Sequence, residues 1–303
     1  MNGKAIVWLN GLPGPTRAGL WMTLSALCYA VSGTIVRHLA GELPTFEIVF
    51  VRNLFGLVVM APWLIRMGAG GLRTHRISMH CLRGFSSAVN VSCQVAALAY
   101  LPVADMAAIT FLQPVLGSLI AMAALGEAFN GRRWAATAMG FLGALLIIRP
   151  GFQAVDTGMV LALASAVAGA VIAIMIKDLV RTETPEAITA YLLIIQALIM
   201  FIPAMMVWTP PSWEQLFWLA VLGLVGVVLQ VTFNRSMRAA DATIALPFNF
   251  TRLLWAALLG WLVFAEFPDF WVWVGGAIIF GASVFLARRG APVLRTRRGG
   301  AAR

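Results

Sequence analysis

The stretch GMVLALASAVAGAVIAIMI at residues 158–176 contains neither a charged side chain nor a proline. At 1.5 Å per residue such a run spans most of a hydrocarbon core about 30 Å thick. A helix satisfies its own backbone groups there, without help from water. A barrel strand would instead alternate apolar and polar residues over about ten positions, and this run is continuously apolar. Working outward, runs of the same kind separated by short polar clusters occupy 19–36, 48–65, 84–101, 106–125, 134–148, 187–207, 216–233, 243–264 and 271–287. The reading is an all-α membrane protein of ten transmembrane helices. The span at 134–148 is short, so Arg132, Arg133 and Arg149 must snorkel to the interfaces.

Composition agrees. Of 303 residues, 61% are hydrophobic and only 11% charged, and the mean hydropathy is +0.88; soluble domains carry about 25% charged residues. The apolar stretch after Lys4 is too short for a signal peptide and is followed by Pro13 and Pro15, so residues 1–17 read as a cytosolic lead. Cys28, Cys81 and Cys93 form no CxxC pair, which argues against a disulfide framework or a metal site. No cofactor is expected.

Charge placement is a separate test of the span count, because cytoplasmic loops retain Lys and Arg. With the amino terminus inside, Arg37 and Arg149 fall outside and Arg52 and Arg252 fall within spans; the rest of the 22 basic residues, Arg83 among them, collect on the cytoplasmic side. A wrong span count would scatter them. The net charge of +10 therefore reports topology rather than nucleic-acid binding, and the arginine-rich tail at 290–303 suits anionic lipid headgroups. The expected setting is the inner membrane, multi-pass, with both termini cytoplasmic.

The chain also repeats itself. At one constant offset Gly19, Leu24, Ile35 and Glu47 fall on Gly158, Leu163, Ile174 and Glu186, and Leu119, Glu127, Trp134, Ala138 and Phe141 fall on Leu258, Glu266, Trp273, Ala277 and Phe280. Five spans per half is an odd number, so the second half must cross the bilayer upside down. This is the inverted-topology symmetry of transporters that alternate access around a midplane site. The repeats are set at 18–151 and 152–289.

The segments FEIVFVRNLFG (46–56), LAYLPVADMAAITFLQPVLGSLIAMAALGE (98–127) and FNFTRLLWAALLGWLVFAE (248–266) resemble the ten-helix drug/metabolite transporter superfamily of the EamA-repeat type. That resemblance implies a helical basket around a central cavity lined by the first, third, fourth, sixth, eighth and ninth helices. It leaves the substrate open among amino acids, riboflavin, S-adenosylmethionine and sugar phosphates.

Polar groups inside a span are costly and usually face protein or water. Arg252 lies roughly 13 Å into its span, where an arginine costs about 2.5–3.5 kcal/mol on insertion scales, so it is the first candidate to anchor a substrate anion. Asn249 and Trp255 share its helix face at i−3 and i+3, although core packing explains Trp255 equally well. Asn90 and Gln94 form a second polar face; Tyr191, Gln230 and Asn234 are further candidates, each with interhelical hydrogen bonding as the plainer account. Arg52, roughly 8 Å from the end of its span, is shallow enough to snorkel or to pair with Glu47, as a gating or structural pair. His38, His75 and His80 read as solvated residues near span ends. No carboxylate reaches a span centre, which points to facilitated or exchange transport without a midplane proton carrier.

No P-loop, HExxH or GxSxG pattern is present, so neither a primary pump nor an intramembrane enzyme is indicated. A non-transporting scaffold would not require polar residues around Arg252. The expectation is a secondary transporter, monomer or homodimer, for a small metabolite. A net positive cavity favours an amino acid or related carboxylate, with a riboflavin- or S-adenosylmethionine-type cofactor as the alternative.

Overall fold

The computed structural model describes residues 13–68, 73–110, 156–240 and 251–289, together with Phe248, Asn249 and scattered positions between 112 and 146. Nine helices are described: α1 (Gly14–Leu39), α2 (Thr45–Met67), α3 (Ile77–Leu98), α4 (Val103–Thr110), α5 (Thr157–Leu179), α6 (Pro185–Met206), α7 (Trp213–Ala239), α8 (Thr251–Phe264) and α9 (Phe270–Arg289). No strand occurs among the described residues. Most of the spans expected at 106–125 and 134–148, the start of that at 243–264 and the repeat boundary at 151/152 lie outside the described residues.

Local chemistry accounts for several helix starts. Asp156 accepts a bond from Met159 N–H at 2.9 Å and Thr184 one from Ala187 N–H at 3.2 Å. Ser212 and Gln215 form a reciprocal capping box on α7, so orphan amide donors are satisfied where each helix begins. Helix α8 ends on Ala265 in the left-handed region (φ 54). Glu266 N–H then reaches back to Gly260 O at 3.2 Å, a Schellman-type closure.

By length and composition α1, residues Thr45–Arg66 of α2, α5, α6 and α7 can each cross a membrane. At 22 residues α3 is long enough too, but it lacks uniform hydropathy because His80, Arg83, Ser87, Asn90 and Gln94 repeat at helical spacing down one side. The span predicted at 84–101 therefore begins a full two turns earlier, at Ile77.

The helices pack in a pattern that survives an exchange of halves. The closest partnerships are α1 with α7, α3 with α5, α2 with α6, α2 with α7, α3 with α6 and α1 with α8. Replacing α1, α2, α3 and α4 by α5, α6, α7 and α8 turns α1–α7 into α5–α3, α2–α7 into α6–α3 and α1–α8 into α5–α4, each of which is present. The repeat offset also relates two close approaches. A side chain on Gly84 would collide with Ile195 of α6, and one on Gly223 would lie 2.7 Å from Phe55 Cβ and 2.9 Å from Gly56 N of α2. Gly84 maps onto Gly223 and Gly56 onto Ile195. Small residues at these two crossings let the backbones meet.

Polar ties gather at the two ends of the bundle. At one end Arg37 pairs with Glu266, Gln215 donates to Glu42 at 2.7 Å, and Thr209 N–H donates to Glu47 at 2.9 Å. At the other end Arg76 pairs with Asp178, Arg235 with Glu186, and Thr74 donates to Glu183 at 2.6 Å.

Candidate functional site

Between the two groups of ties a cavity of about 180 Å³ opens, lined by α1, α2, α3, α5, α6, α7 and α8 and by Gln113. Two linings go beyond those implied by the family resemblance: α2 supplies Arg52 and Asn53, and α6 supplies Gln196. Gly169 leaves the room that the amides of Gln113 and Asn90 occupy, since a side chain there would collide with Gln113.

Three guanidinium groups face this space, from three helices. Arg252, 7% exposed, donates to Thr110 Oγ1 at 3.2 Å and lies over the Tyr29 ring, 3.7 Å from its centroid. That desolvated cation–π contact and the hydroxyl explain how an arginine is tolerated at the start of α8. Tyr29 is itself fixed, because Gln94 Nε2 donates to its hydroxyl. Arg83, 1% exposed, donates to Ile188 O at 2.9 Å and to Gln230 Oε1 at 3.4 Å. Arg52 has no side-chain partner among the described residues and is not joined to Glu47, which instead accepts from the backbone and hydroxyl of Thr209. No carboxylate lines the cavity among the described residues.

The expected residues divide into two groups. Arg252, Asn90, Gln94, Gln230 and Arg52 line the cavity. Asn90 Nδ2 also ties α3 to α5 through Ser165 O at 2.6 Å. The others lie elsewhere. Trp255 packs against the main apolar core and Asn249 sits in a short turn before α8. Tyr191 stacks on His80 at 4.3 Å between centroids, and Asn234 holds α7 to α6 through Pro185 O and Thr189 Oγ1.

Two expectations are corrected, one from the charge reading and one from the reading of the histidines. Arg83 is not a cytoplasmic loop residue, and His80 is not solvated but 1% exposed; both belong to α3, whose early start places them inside the bundle. Asn53, Ser32, Gln196 and Tyr29 were not singled out, because lone polar residues in apolar runs do not reveal which face they occupy. Arg83 was missed, although a signal existed, since it continues the Ser87, Asn90, Gln94 stripe at helical spacing.

The polar inventory is lopsided. Ser32 Oγ, Asn53 Nδ2, Arg83 Nε and Arg252 Nε are buried without a hydrogen-bond partner, and every one belongs to a cavity-lining residue. All four can donate, so acceptors on a bound solute would complement these positions.

Comparison with known proteins agrees with this architecture. The model of the EamA-like transporter family matches twice, at residues 16–149 and 156–288. The chain belongs to that family. A riboflavin transporter of Rhizobium johnstonii is 31% identical over 280 residues, covering 90% of this chain and 93% of the relative. An S-adenosylmethionine uptake transporter of Rickettsia prowazekii is 27% identical over 286 residues, covering 94% and 95%. A solved crystal structure with 19% sequence identity superposes with a TM-score of 0.64 over 91% of this chain and 99% of its own, which shows a shared fold. As an EamA-like transporter, the chain is a multi-pass membrane protein, and the cavity is where its polar, membrane-embedded side chains converge.

Proposed function

We propose that this EamA-like transporter takes up a neutral, acceptor-rich heterocyclic metabolite of the riboflavin type across the inner membrane. One observation carries the choice: the cavity presents three guanidiniums and several unpaired donors, and no carboxylate among the described residues. Riboflavin offers carbonyl and ring-nitrogen acceptors along one edge, a flat apolar face, and hydroxyls that also accept. Leu222, Leu229 and Phe233 supply the apolar wall for such a ring. S-adenosylmethionine carries a sulfonium cation and an ammonium against a single carboxylate, and this net positive charge would meet the like charge of the three guanidiniums.

The reading replaces the amino acids or carboxylates favoured from the embedded arginines alone. It is supported by the riboflavin transporter among the relatives. Two inverted five-helix repeats, with both termini cytoplasmic, would rock about the cavity to expose it to either side in turn. At about 180 Å³ the cavity is below the roughly 300–1,000 Å³ of drug-sized ligand sites, so binding requires the halves to part from the form described here.

The test is uptake in cells that cannot make riboflavin. Cells producing the protein should grow on less external riboflavin and accumulate the labelled vitamin, with an excess of unlabelled S-adenosylmethionine failing to compete. No riboflavin uptake while the protein is present in the membrane would overturn the proposal. Saturable uptake of S-adenosylmethionine instead would transfer it to the second substrate.

A further inference from the structure

A guanidinium stays charged at any pH the protein meets, and a cation away from bulk water is strongly disfavoured unless something compensates it. For two of the three cavity arginines the compensation is visible. Arg252 has the Tyr29 ring and the Thr110 hydroxyl, and Arg83 has Ile188 O and Gln230. Arg52 has nothing of the kind among the described residues. Glu47, the nearest acid in the sequence of α2, is 0% exposed and turned to Thr209.

Arg52 is half-buried, keeps accessible surface and lines the cavity, so its side chain is open to the internal space. Its neighbour Asn53 is 1% exposed, lines the same cavity and leaves Nδ2 without a partner. Gly223 packs directly over this turn, where a side chain would lie 2.8 Å from Arg52 O. The backbone carrying the two donors is thereby held in place.

We infer that Arg52 and Asn53 form an anion subsite of the central cavity, which takes a phosphate- or carboxylate-type group. The Arg52 guanidinium supplies the charge and a planar fork of donors suited to an oxyanion; Asn53 supplies a neutral donor beside it. The anion has two possible sources: a group on the transported solute, or a free inorganic ion bound with a neutral solute. The subsite rests on the cavity and is independent of the riboflavin reading.

The experiment uses the full chain purified in detergent, with thermal unfolding followed as inorganic phosphate replaces the bulky anion gluconate at fixed ionic strength. A specific subsite raises the unfolding midpoint saturably, on the order of 3 °C once phosphate greatly exceeds its dissociation constant. Arg52→Gln should abolish the shift, and Arg52→Lys should retain part of it. A wild-type midpoint indifferent to phosphate overturns the inference whether or not the variants fold, as does an undiminished shift in Arg52→Gln.

Riboflavin binding measured with and without phosphate then separates the sources. Tighter binding with phosphate identifies a co-bound inorganic ion, whereas competition shows that the solute reaches Arg52 itself. If phosphate stabilises the protein and riboflavin does not bind, the subsite stands and the riboflavin reading falls.

Discussion

Arg252 depends on its neighbours. Its charge is balanced by the Tyr29 π-face, and Tyr29 is held by Gln94 of α3. Two substitutions separate these contributions. Tyr29→Phe removes only the hydroxyl that accepts from Gln94, and it should lower uptake by at most about tenfold, the value of one neutral hydrogen bond. Tyr29→Leu removes the ring as well. Since a cation–π contact is worth about 0.5–2 kcal/mol, uptake should fall a further ~2- to 30-fold. Initial rates normalised to the protein in the membrane make the measurement, and equal losses in the two variants would contradict the role given to the ring. From the sequence Arg252 was the conspicuous residue, because an arginine in an apolar run is costly wherever it points. Tyr29 was not conspicuous, because nothing local distinguishes a tyrosine beneath a distant guanidinium from one packed in a core.

Among the elements α3 shows most clearly what periodicity reveals and what it hides. Its polar residues repeat on one side from His80 to Gln94, and Asn90 and Gln94 were recognised as one face. The part before Gly84 was lost because hydropathy falls there, and basic residues near a span end look like loop anchors. From Arg83 onward, the stripe that weakens α3 as a membrane span is the stripe that lines the cavity, through Arg83, Ser87, Asn90 and Gln94. The crossing of α7 with α2 makes a separate prediction. A methyl group on Gly223 would lie 2.7 Å from Phe55 Cβ and within 2.8–2.9 Å of backbone atoms of Arg52 and Gly56. Backbone cannot give way as a side chain can, so Gly223→Ala should cost about 1–3 kcal/mol through overpacking, seen as a lowered unfolding midpoint in detergent. Gly226→Ala, one turn later with nothing within 4 Å, should leave the midpoint nearly unchanged. Equal effects would show that the close approach does not limit stability.

At the scale of the whole molecule the exchange of halves recurs in sequence, in helix partnerships and in the paired glycine crossings. Span composition and charge bias made the layered membrane architecture legible. They could not show that α2 and α6 also reach the cavity, because those helices are apolar nearly all round and only tertiary packing selects the face of Arg52, Asn53 and Gln196. The end ties point the same way. If the halves rock as proposed, opening toward one face must release Arg37–Glu266, Gln215–Glu42 and Thr209–Glu47, and opening toward the other must release Arg76–Asp178 and Thr74–Glu183, whereas Arg235–Glu186 lies within the second half and can stay closed. The central claim is that this cavity is the transport pathway. The most direct test places a single cysteine at Ser32 or Gln196, with Cys28, Cys81 and Cys93 replaced, and measures labelling by a membrane-impermeant maleimide in right-side-out and in inverted vesicles. The account predicts labelling from both sides, slowed by riboflavin; labelling from neither side, or from one side only and at a rate that riboflavin leaves unchanged, would contradict it.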